Sequence, residues 1–225
     1  MAQILSHQKT LTRNFWVRVG PGVALIGGAL WILSVSHSWI PLLIAFGLIL
    51  TGSRFLRGGV MFLIGAQGED KVTRVLQSLP ESWYVFNDLT VNGAQIDHVL
   101  IGPKGIFTIE TKNYSGKIYG NANQKQWTYY LKNRKYTFYN PVKQALKHSL
   151  VLSQFLETCG LGKTWVETLV VFAHPQVKLK IQSPKVPVLH LSELREYLLQ
   201  LPDKFSPKEV EALVSCLQKL TSPQI

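Results

Sequence analysis

Residues 94–112 read AQIDHVLIGPKGIFTIETK and predict two antiparallel strands joined by a short loop. Apolar and β-branched residues fill both halves of this stretch, and the Gly-Pro-Lys-Gly cluster at residues 102–105 separates them with residues that favour a turn. If these four residues form the loop, Ile101 pairs with Ile106. A shift of one residue would turn each side chain to the opposite face, so the loop length decides which side chains meet.

This register brings charged side chains together on one face of the hairpin. It places Asp97 opposite Glu110 and Gln95 opposite Lys112, and directly opposed residues point to the same face. Two neighbouring carboxylates repel each other, and Lys112 offsets part of that repulsion. A divalent cation would offset more of it, because Mg²⁺ binds one or two carboxylates together with water and phosphate. The alternative is a solvent-exposed hairpin with ordinary surface charges.

Several short motifs, in this order and spacing, resemble the nuclease-related domain family, NERD, of the PD-(D/E)XK nuclease superfamily. Its D…ExK pattern is matched by Asp97, Glu110 and Lys112, and Ile96 stands where the superfamily usually has proline. The resemblance covers roughly residues 66–175. The motifs that carry it are Gly68-Glu69, Asn87-Asp88-Leu89, Gln95-Ile96-Asp97-His98-Val99, Gly105-Ile106-Phe107, Glu110-Thr111-Lys112-Asn113, and Asn140-Pro141 with Gln144.

The resemblance implies an α/β fold with a restriction-endonuclease-like core, in which a mixed sheet is flanked by helices. It also implies metal-dependent hydrolysis of nucleic-acid phosphodiesters, with DNA as the substrate by analogy. Asp97 and Glu110 would ligate Mg²⁺ or Mn²⁺, with help from Glu69 and the backbone carbonyl of Thr111. The alternative is a catalytically silent, membrane-tethered module that binds nucleic acid or a protein partner.

The resemblance assigns roles to two further polar side chains. Lys112 would orient the attacking water or stabilise charge on the phosphate, and Gln144 would position the scissile phosphate. The implied catalytic residues are therefore Asp97, Glu110, Lys112 and Gln144. The nearby His148 is expected to be an ordinary surface residue.

The first quarter of the chain differs in composition from the rest. No Asp or Glu precedes Glu69, and the basic residues there are Lys9, Arg13, Arg18, Arg54 and Arg57. Over the whole chain the formal net charge is +11, which fits an anionic partner such as nucleic acid or a membrane surface. The break near residue 66 predicts a domain boundary.

Two apolar segments cover residues 19–36 and 39–56. A membrane-spanning helix needs ~17–25 residues, and both segments are near the short end of that range. They predict a transmembrane hairpin with both ends in the cytoplasm, because arginines flank both outer ends. The expected location is the bacterial inner membrane, with the soluble domain facing the cytoplasm. A re-entrant or interfacial hairpin and a buried helix pair of a soluble protein are the alternatives.

The predicted divisions are a basic segment over 1–18, the hairpin over 19–57, a connector over 58–66, the nuclease-like domain over 67–175, and edge strands and helices over 176–225. Within them, periodicity and turn residues predict the individual elements. These are a helix over 67–79, a strand over 83–91, a turn at Asn92-Gly93, a helix from Asn140-Pro141 to Gly160, strands over 165–172, 177–181 and 186–191, and helices after Ser192 and Ser206.

Residues 126–139 predict another hairpin, in which Trp127 and four tyrosines are interleaved with lysine and arginine. Aromatic rings stack on bases and basic side chains neutralise phosphates, so the hairpin could contact nucleic acid. Packing of the aromatic rings on the sheet is the favoured interpretation. The two cysteines, Cys159 and Cys216, lack metal-type spacing and are expected to be reduced thiols in a cytosolic compartment.

Overall fold

The structure of the protein is a computed structural model, which describes residues 1–6, 11–35, 38–182 and 184–221. The chain divides into two compact units. Unit 1 contains Met1–His7 and Gly68–Ile225, and unit 2 contains Gln8–Gln67. Unit 1 therefore includes residues from both sides of unit 2 in the sequence.

Helices and mixed sheets together confirm the predicted α/β class. The strands are β1 Gln3–Ser6, β2 Tyr84–Val91, β3 Ala94–Gly102, β4 Gly105–Lys112, β5 Gly116–Asn121, β6 Gln126–Leu131, β7 Arg134–Tyr139, β8 Glu167–Phe172, β9 Val177–Gln182 and β10 Val188–His190. The helices are α1 Leu11–Val35, α2 Trp39–Gln77, α3 Pro141–Thr158, α4 Leu191–Gln200 and α5 Pro207–Thr221.

Unit 2 consists of α1 and the greater part of α2. Both helices are long and apolar enough to cross a membrane, judged by length and composition. Core helices of soluble proteins have the same length and composition but are mostly buried. Here only 17% of the most apolar stretch of α1 and 11% of that of α2 are buried. The exposed apolar surface therefore favours a membrane hairpin over a buried helix pair.

The separate connector predicted over residues 58–66 was wrong, because these residues continue α2 without a break. Glycine within a helix costs about 1 kcal/mol relative to alanine, which made Gly58-Gly59 look like a boundary. At position 59 glycine is needed because α1 approaches closely. A Cβ atom there would lie 2.1 Å from Cγ2 of Val19.

The main sheet of unit 1 has six strands in the order β1-β2-β3-β4-β8-β10. The predicted register of the central hairpin is confirmed, since Ile101 pairs with Ile106. Pairing continues for one more step, to Gly102 and Gly105, so the turn itself is shorter than expected. Strand β8 runs parallel to β4 on the other side, and β10 runs parallel to β8.

Helices cover both faces of this sheet. On one face, Val99 and Ile106 pack with Leu152 of α3 and Leu217 of α5. The opposite face is covered by the end of α2 and by α4, whose buried residues include Leu76 and Leu198. The side chains of Asp97 and Glu110 share the α3 face, because they alternate in phase with Val99 and Ile106.

The single mixed sheet expected from the sequence is in fact two sheets. Strands β5, β6, β7 and β9 form a second sheet in the order β7-β6-β5-β9. The chain enters it at Gly116, whose φ of 91° suits glycine. A Cβ atom at Gly116 would lie 2.2 Å from the carbonyl oxygen of Tyr130, so this turn into the second sheet depends on the missing side chain.

The sequence did not predict β1, which runs parallel to β2 at the edge of the main sheet. Ser6 anchors this strand at its far end. Its Oγ donates to the Asn87 carbonyl and accepts from the Asn87 N–H, both at 2.7 Å. The extreme N-terminal residues are therefore part of unit 1.

The prediction of two reduced thiols was also wrong, because Cys159 and Cys216 form a disulfide. It joins the residue that follows α3 to α5, with a Cα–Cα distance of 6.1 Å. The predicted start of α4 after Ser192 needs correction as well, because the helix begins at Leu191. His190 is the cap in place of Ser192, and its backbone N–H donates to Glu193 at 2.7 Å.

Candidate active site

The hairpin of β3 and β4 presents Asp97 at the point where strand pairing ends. The last paired residues are His98 and Ile109. Beyond them, the carboxylate of Asp97 accepts the hydrogen bond of a backbone N–H on β4. Its Oδ2 accepts a hydrogen bond from the N–H of Thr111 at 2.8 Å. This bond fixes the carboxylate beside β4.

Lys112 links the second carboxylate to α3. Its Nζ donates to Oε1 of Glu110 at 2.6 Å and to Oε1 of Gln144 at 3.3 Å. Gln144 lies on the first turn of α3, which Asn140 caps by accepting the N–H of Val142 at 2.9 Å. The N-cap thus sets the start of α3, and with it the position of Gln144 over the sheet.

His148 belongs to the same cluster, so its expected surface position was wrong. Its side chain is buried, and Nδ1 lies 3.3 Å from Oε2 of Glu110. His148 follows Gln144 by four residues, and residues with that spacing lie on one face of a helix. The sequence signal that could have found it was this spacing on the apolar face of α3.

Glu69, in the last part of α2, adds a third carboxyl to the electrostatics of the site. Burial raises its pKa, and Asp88 and Glu110 raise it further. The structure therefore supports the expected proximity of Glu69 to the hairpin. The role of the Thr111 carbonyl as a metal ligand stays a prediction.

The two central carboxyls have opposite pKa shifts. Burial raises the pKa of Asp97 well above its usual value, and the charges of Glu110 and Glu69 add to that rise. Burial would also raise the pKa of Glu110, but His148 and Lys112 outweigh it and hold the pKa below its usual value. Glu110 is therefore ionised and stabilised by its two basic neighbours. The repulsion from the other carboxylates is not offset in this way at Asp97.

Lys112 remains a cation in this cluster. Burial by itself would lower the pKa of Lys112, but the adjacent carboxylate of Glu110 prevails and the pKa is raised. A protonated ammonium group can donate hydrogen bonds to phosphate oxygens or to water. It cannot accept a proton from water at neutral pH.

A polar network lies on the opposite face of the hairpin, beneath the site. Nδ1 of His98 lies 2.8 Å from Oδ1 of Asn87, and Nε2 lies 3.1 Å from Oγ1 of Thr111. Burial lowers the pKa of His98 to about 3, so the ring is neutral. Since the Asn87 oxygen accepts, Nδ1 carries the proton and Nε2 accepts from Thr111. The network therefore fixes Thr111, which lies between Glu110 and Lys112 in the sequence.

The donor set fits a divalent cation held by two carboxylates. Oε2 of Glu110 is buried beside Nδ1 of His148, which lies 3.3 Å away, and a carboxylate oxygen with this one neighbour retains a lone pair. The described part of the chain contains no group of three or more His, Cys, Asp or Glu side chains arranged as a metal site. Water and phosphate would therefore supply the remaining ligands, as Mg²⁺ prefers.

Comparison with known proteins gives one matching family and one relative. The family described as the nuclease-related domain matches residues 64–173, a range that contains every residue of the cluster. An uncharacterized protein of Bacillus anthracis is 33% identical over 148 residues, which is 62% of this chain and 68% of the relative. No solved structure matches the chain.

Proposed function

The chain belongs to the nuclease-related domain family, and from this premise we propose that it is a membrane-anchored nuclease. Its proposed substrate is a nucleic acid, with DNA preferred to RNA as the candidate, and its proposed cofactor is Mg²⁺ or Mn²⁺. The observation that carries the proposal is the meeting of Asp97, Glu110, Lys112 and Gln144 on one face of the domain.

In this proposal Asp97 and Glu110 hold the cation, and Glu69 adds negative charge beside them. When bound, the cation supplies Lewis-acid polarisation of the phosphodiester. Thr111 keeps Asp97 in place through its N–H, and His148 flanks the Glu110 oxygen that Lys112 does not contact. The chain thus positions both carboxylates before any substrate arrives.

Lys112 and Gln144 act on the phosphate in this proposal. The raised pKa of Lys112 keeps the side chain positively charged, so it stabilises the charge that develops on the phosphate and does not serve as the base. Gln144 accepts from the ammonium group and so fixes it between β4 and α3. This geometry favours the charge-stabilising role of Lys112 over proton abstraction.

The membrane attachment in the proposal rests on α1 and α2. Both helices expose long apolar surfaces. The arginines of unit 2 lie in the first part of α1 and near the middle of α2, at the outer ends of the apolar segments over residues 19–36 and 39–56. Lys and Arg concentrate on the cytoplasmic side of membrane helices, so both outer ends belong there. The bilayer then tethers the nuclease domain at the inner face of the membrane.

The test is a cleavage assay with the full chain in detergent, because β1 would be lost from a fragment that begins after α1. Labelled single- and double-stranded DNA and RNA are incubated with Mg²⁺, Mn²⁺ or EDTA. Cleavage should require the metal and should fall by about a hundredfold or more in Glu110→Gln and in Lys112→Ala.

The matched controls are Glu167→Gln and Lys204→Ala, which remove another glutamate–lysine ion pair of 2.7 Å outside the cluster. Both should cleave like the natural chain. Cleavage that survives in Glu110→Gln, or that ignores EDTA, contradicts the proposal. Binding without cleavage would instead identify a membrane-tethered binding module.

A further inference from the structure

The second sheet has an outward face that takes no part in the cluster around Glu110. Its inward side chains include Ile118 and Trp127, which pack with Val142 and Ala145 at the start of α3. Side chains alternate along a strand, so the residues between them point away from α3. This outward face of β5, β6, β7 and β9 is called the basic face below.

Lysines dominate the basic face. Lys117 of β5 is the direct cross-strand partner of Lys178 of β9, and Lys180 follows two residues later on the same side. Lys135 of β7 shares the face. Like charges on directly opposed residues repel each other, so this pairing destabilises the sheet unless an anion offsets it.

The described residues supply no such anion. Residues 111–156, which include β5, β6 and β7, contain no Asp or Glu, and neither does β9. Within the described residues, none of the four lysines has an ion-pair partner. The positive charge of the basic face is therefore available to a partner from outside the chain.

Aromatic rings lie among these lysines. Tyr119 and Tyr130 are 44% and 39% exposed. Their ring centroids are 5.7 Å apart and the rings are nearly perpendicular, so each leaves part of its surface open. Together with Lys117, Lys132 and Lys178 they line a groove of about 600 Å³.

We infer that the basic face binds single-stranded nucleic acid. Lysines that lie along a groove neutralise successive phosphates, and exposed tyrosines stack on unpaired bases. Duplex nucleic acid would use the lysines but not the tyrosines, because its bases are already stacked on each other. The combination of groove, rings and charge therefore fits a single strand.

The inference deepens the proposed function and rests on it, since it names the class of substrate that the nuclease receives. Unpaired nucleotides held on the basic face would lie in the same unit as the cluster around Glu110. The chain links the two directly, because only Asn113, Tyr114 and Ser115 separate β4 from β5. Binding can nevertheless be measured without cleavage.

The experiment measures binding of fluorescein-labelled dT20 and of a 20-base-pair duplex to the full chain in detergent with EDTA. Fluorescence anisotropy gives the Kd of each complex at salt concentrations from about 50 to 200 mM. We expect dT20 to bind more tightly than the duplex. In K117Q/K178Q, loss of two phosphate contacts should reduce the salt slope for dT20 by about 1.4.

Replacement of the rings separates stacking from charge. Y119A/Y130A should weaken dT20 binding by about tenfold with an unchanged salt slope, and Y119F/Y130F should restore it. The matched charge control, K208Q/K219Q, removes two exposed lysines of α5 and should bind like the natural chain.

Three results would overturn the inference: equal affinity for dT20 and the duplex, binding that is unaffected in Y119A/Y130A, or equal weakening in K208Q/K219Q. The separate cleavage assay with metal distinguishes the two proposals. Loss of strand binding with cleavage intact removes this inference and leaves the nuclease function. Strand binding without cleavage removes the nuclease function and leaves the binding surface.

Discussion

At the scale of single residues, the candidate site is an unbalanced charge cluster. Glu110 has two basic partners, Lys112 at 2.6 Å and His148 at 3.3 Å. Asp97 has the N–H of Thr111 as a partner, but burial raises its pKa, and the charges of Glu110 and Glu69 raise it further. A cation that joins the two carboxylates would relieve this repulsion, so the metal should stabilise the fold as well as serve catalysis.

Thermal unfolding of the full chain should therefore respond to Mg²⁺. A cation present at 100 times its Kd stabilises the folded state by about 2.7 kcal/mol, and the melting temperature rises accordingly. In Asp97→Asn this rise should disappear, while stability in EDTA is kept or improved because a repelled buried carboxylate is gone. The exposed Asp203→Asn is the matched control and should respond like the natural chain. An equal response in Asp97→Asn would exclude this carboxylate as a ligand.

His98 predicts a pH dependence of stability with a defined sign. Its folded pKa is about 3, against an unfolded value of about 6.5, so the unfolded chain binds a proton that the folded chain rejects. Stability from the neutral ring is complete above pH 6.5 and falls below it, by about 1.4 kcal/mol per pH unit, towards pH 3. Above pH 6.5 this residue contributes no slope.

Chemical unfolding at pH 7.0, 6.0 and 5.0 measures this effect. The difference in unfolding free energy between the natural chain and His98→Gln should shrink as the pH falls, because the variant has no ring to protonate. His174→Gln, on the segment after β8, is the control for a histidine outside the network. A constant difference across this range would mean that His98 takes up a proton as readily in the folded state as in the unfolded state.

At the scale of elements, β1 shows how much a short strand can contribute. At the end of β1, the hydroxyl of Ser6 makes two hydrogen bonds to the backbone of Asn87. Asn87 in turn lies beside His98 at 2.8 Å. The first strand of the chain thus supports the network beneath the candidate site.

Ser6→Ala should destabilise unit 1 by about 1–3 kcal/mol, because it leaves the N–H and the carbonyl of Asn87 without this partner. Urea unfolding of the full chain in detergent gives the free energy. The control is Ser78→Ala, whose hydroxyl makes only a local bond to the carbonyl of Val75. Equal stability of the two variants would show that β1 does not pair in solution.

Elements that depend on local sequence could be predicted, and those that depend on distant partners could not. The register of β3 and β4 followed from one short loop and from alternating residues, so Asp97 and Glu110 could be placed opposite each other. His148 lies 38 positions from Glu110, and no local pattern connects them. For β1, four residues without a turn signal pair with a strand that begins more than 70 positions later.

The second sheet was missed for a related reason. A hairpin over residues 126–139 is local and was predicted. In the structure its turn lies at Lys132 and Asn133, where both φ angles are positive. Its place in the fold depends on β9, which joins β5 across a long crossover. Gln144 was singled out by family resemblance, since nothing in its local sequence separates it from a surface glutamine.

At the scale of the whole molecule, two features point to different compartments. Arginines lie at the outer ends of the two apolar segments over residues 19–36 and 39–56, and the connection at residues 36–38 carries no Lys or Arg, which is typical of a cytoplasmic domain. The disulfide between Cys159 and Cys216 is typical of an oxidising compartment. The arginines act during membrane insertion, whereas a thiol pair at this distance can oxidise later, so we expect the cytoplasmic orientation.

Connectivity requires both outer ends of unit 2 to lie on the same side of a membrane, because unit 1 contains residues from before and after it. The connection between α1 and α2 should then reach the opposite side. In intact cells, a membrane-impermeant maleimide should label Ser38→Cys, whereas Lys208→Cys should react only after permeabilisation. Labelling of Lys208→Cys alone in intact cells would place the domain outside, where the disulfide persists. If neither cysteine reacts until the cells are opened, the helices do not cross the bilayer, and one of the three alternatives holds: a re-entrant hairpin, an interfacial hairpin or a buried helix pair.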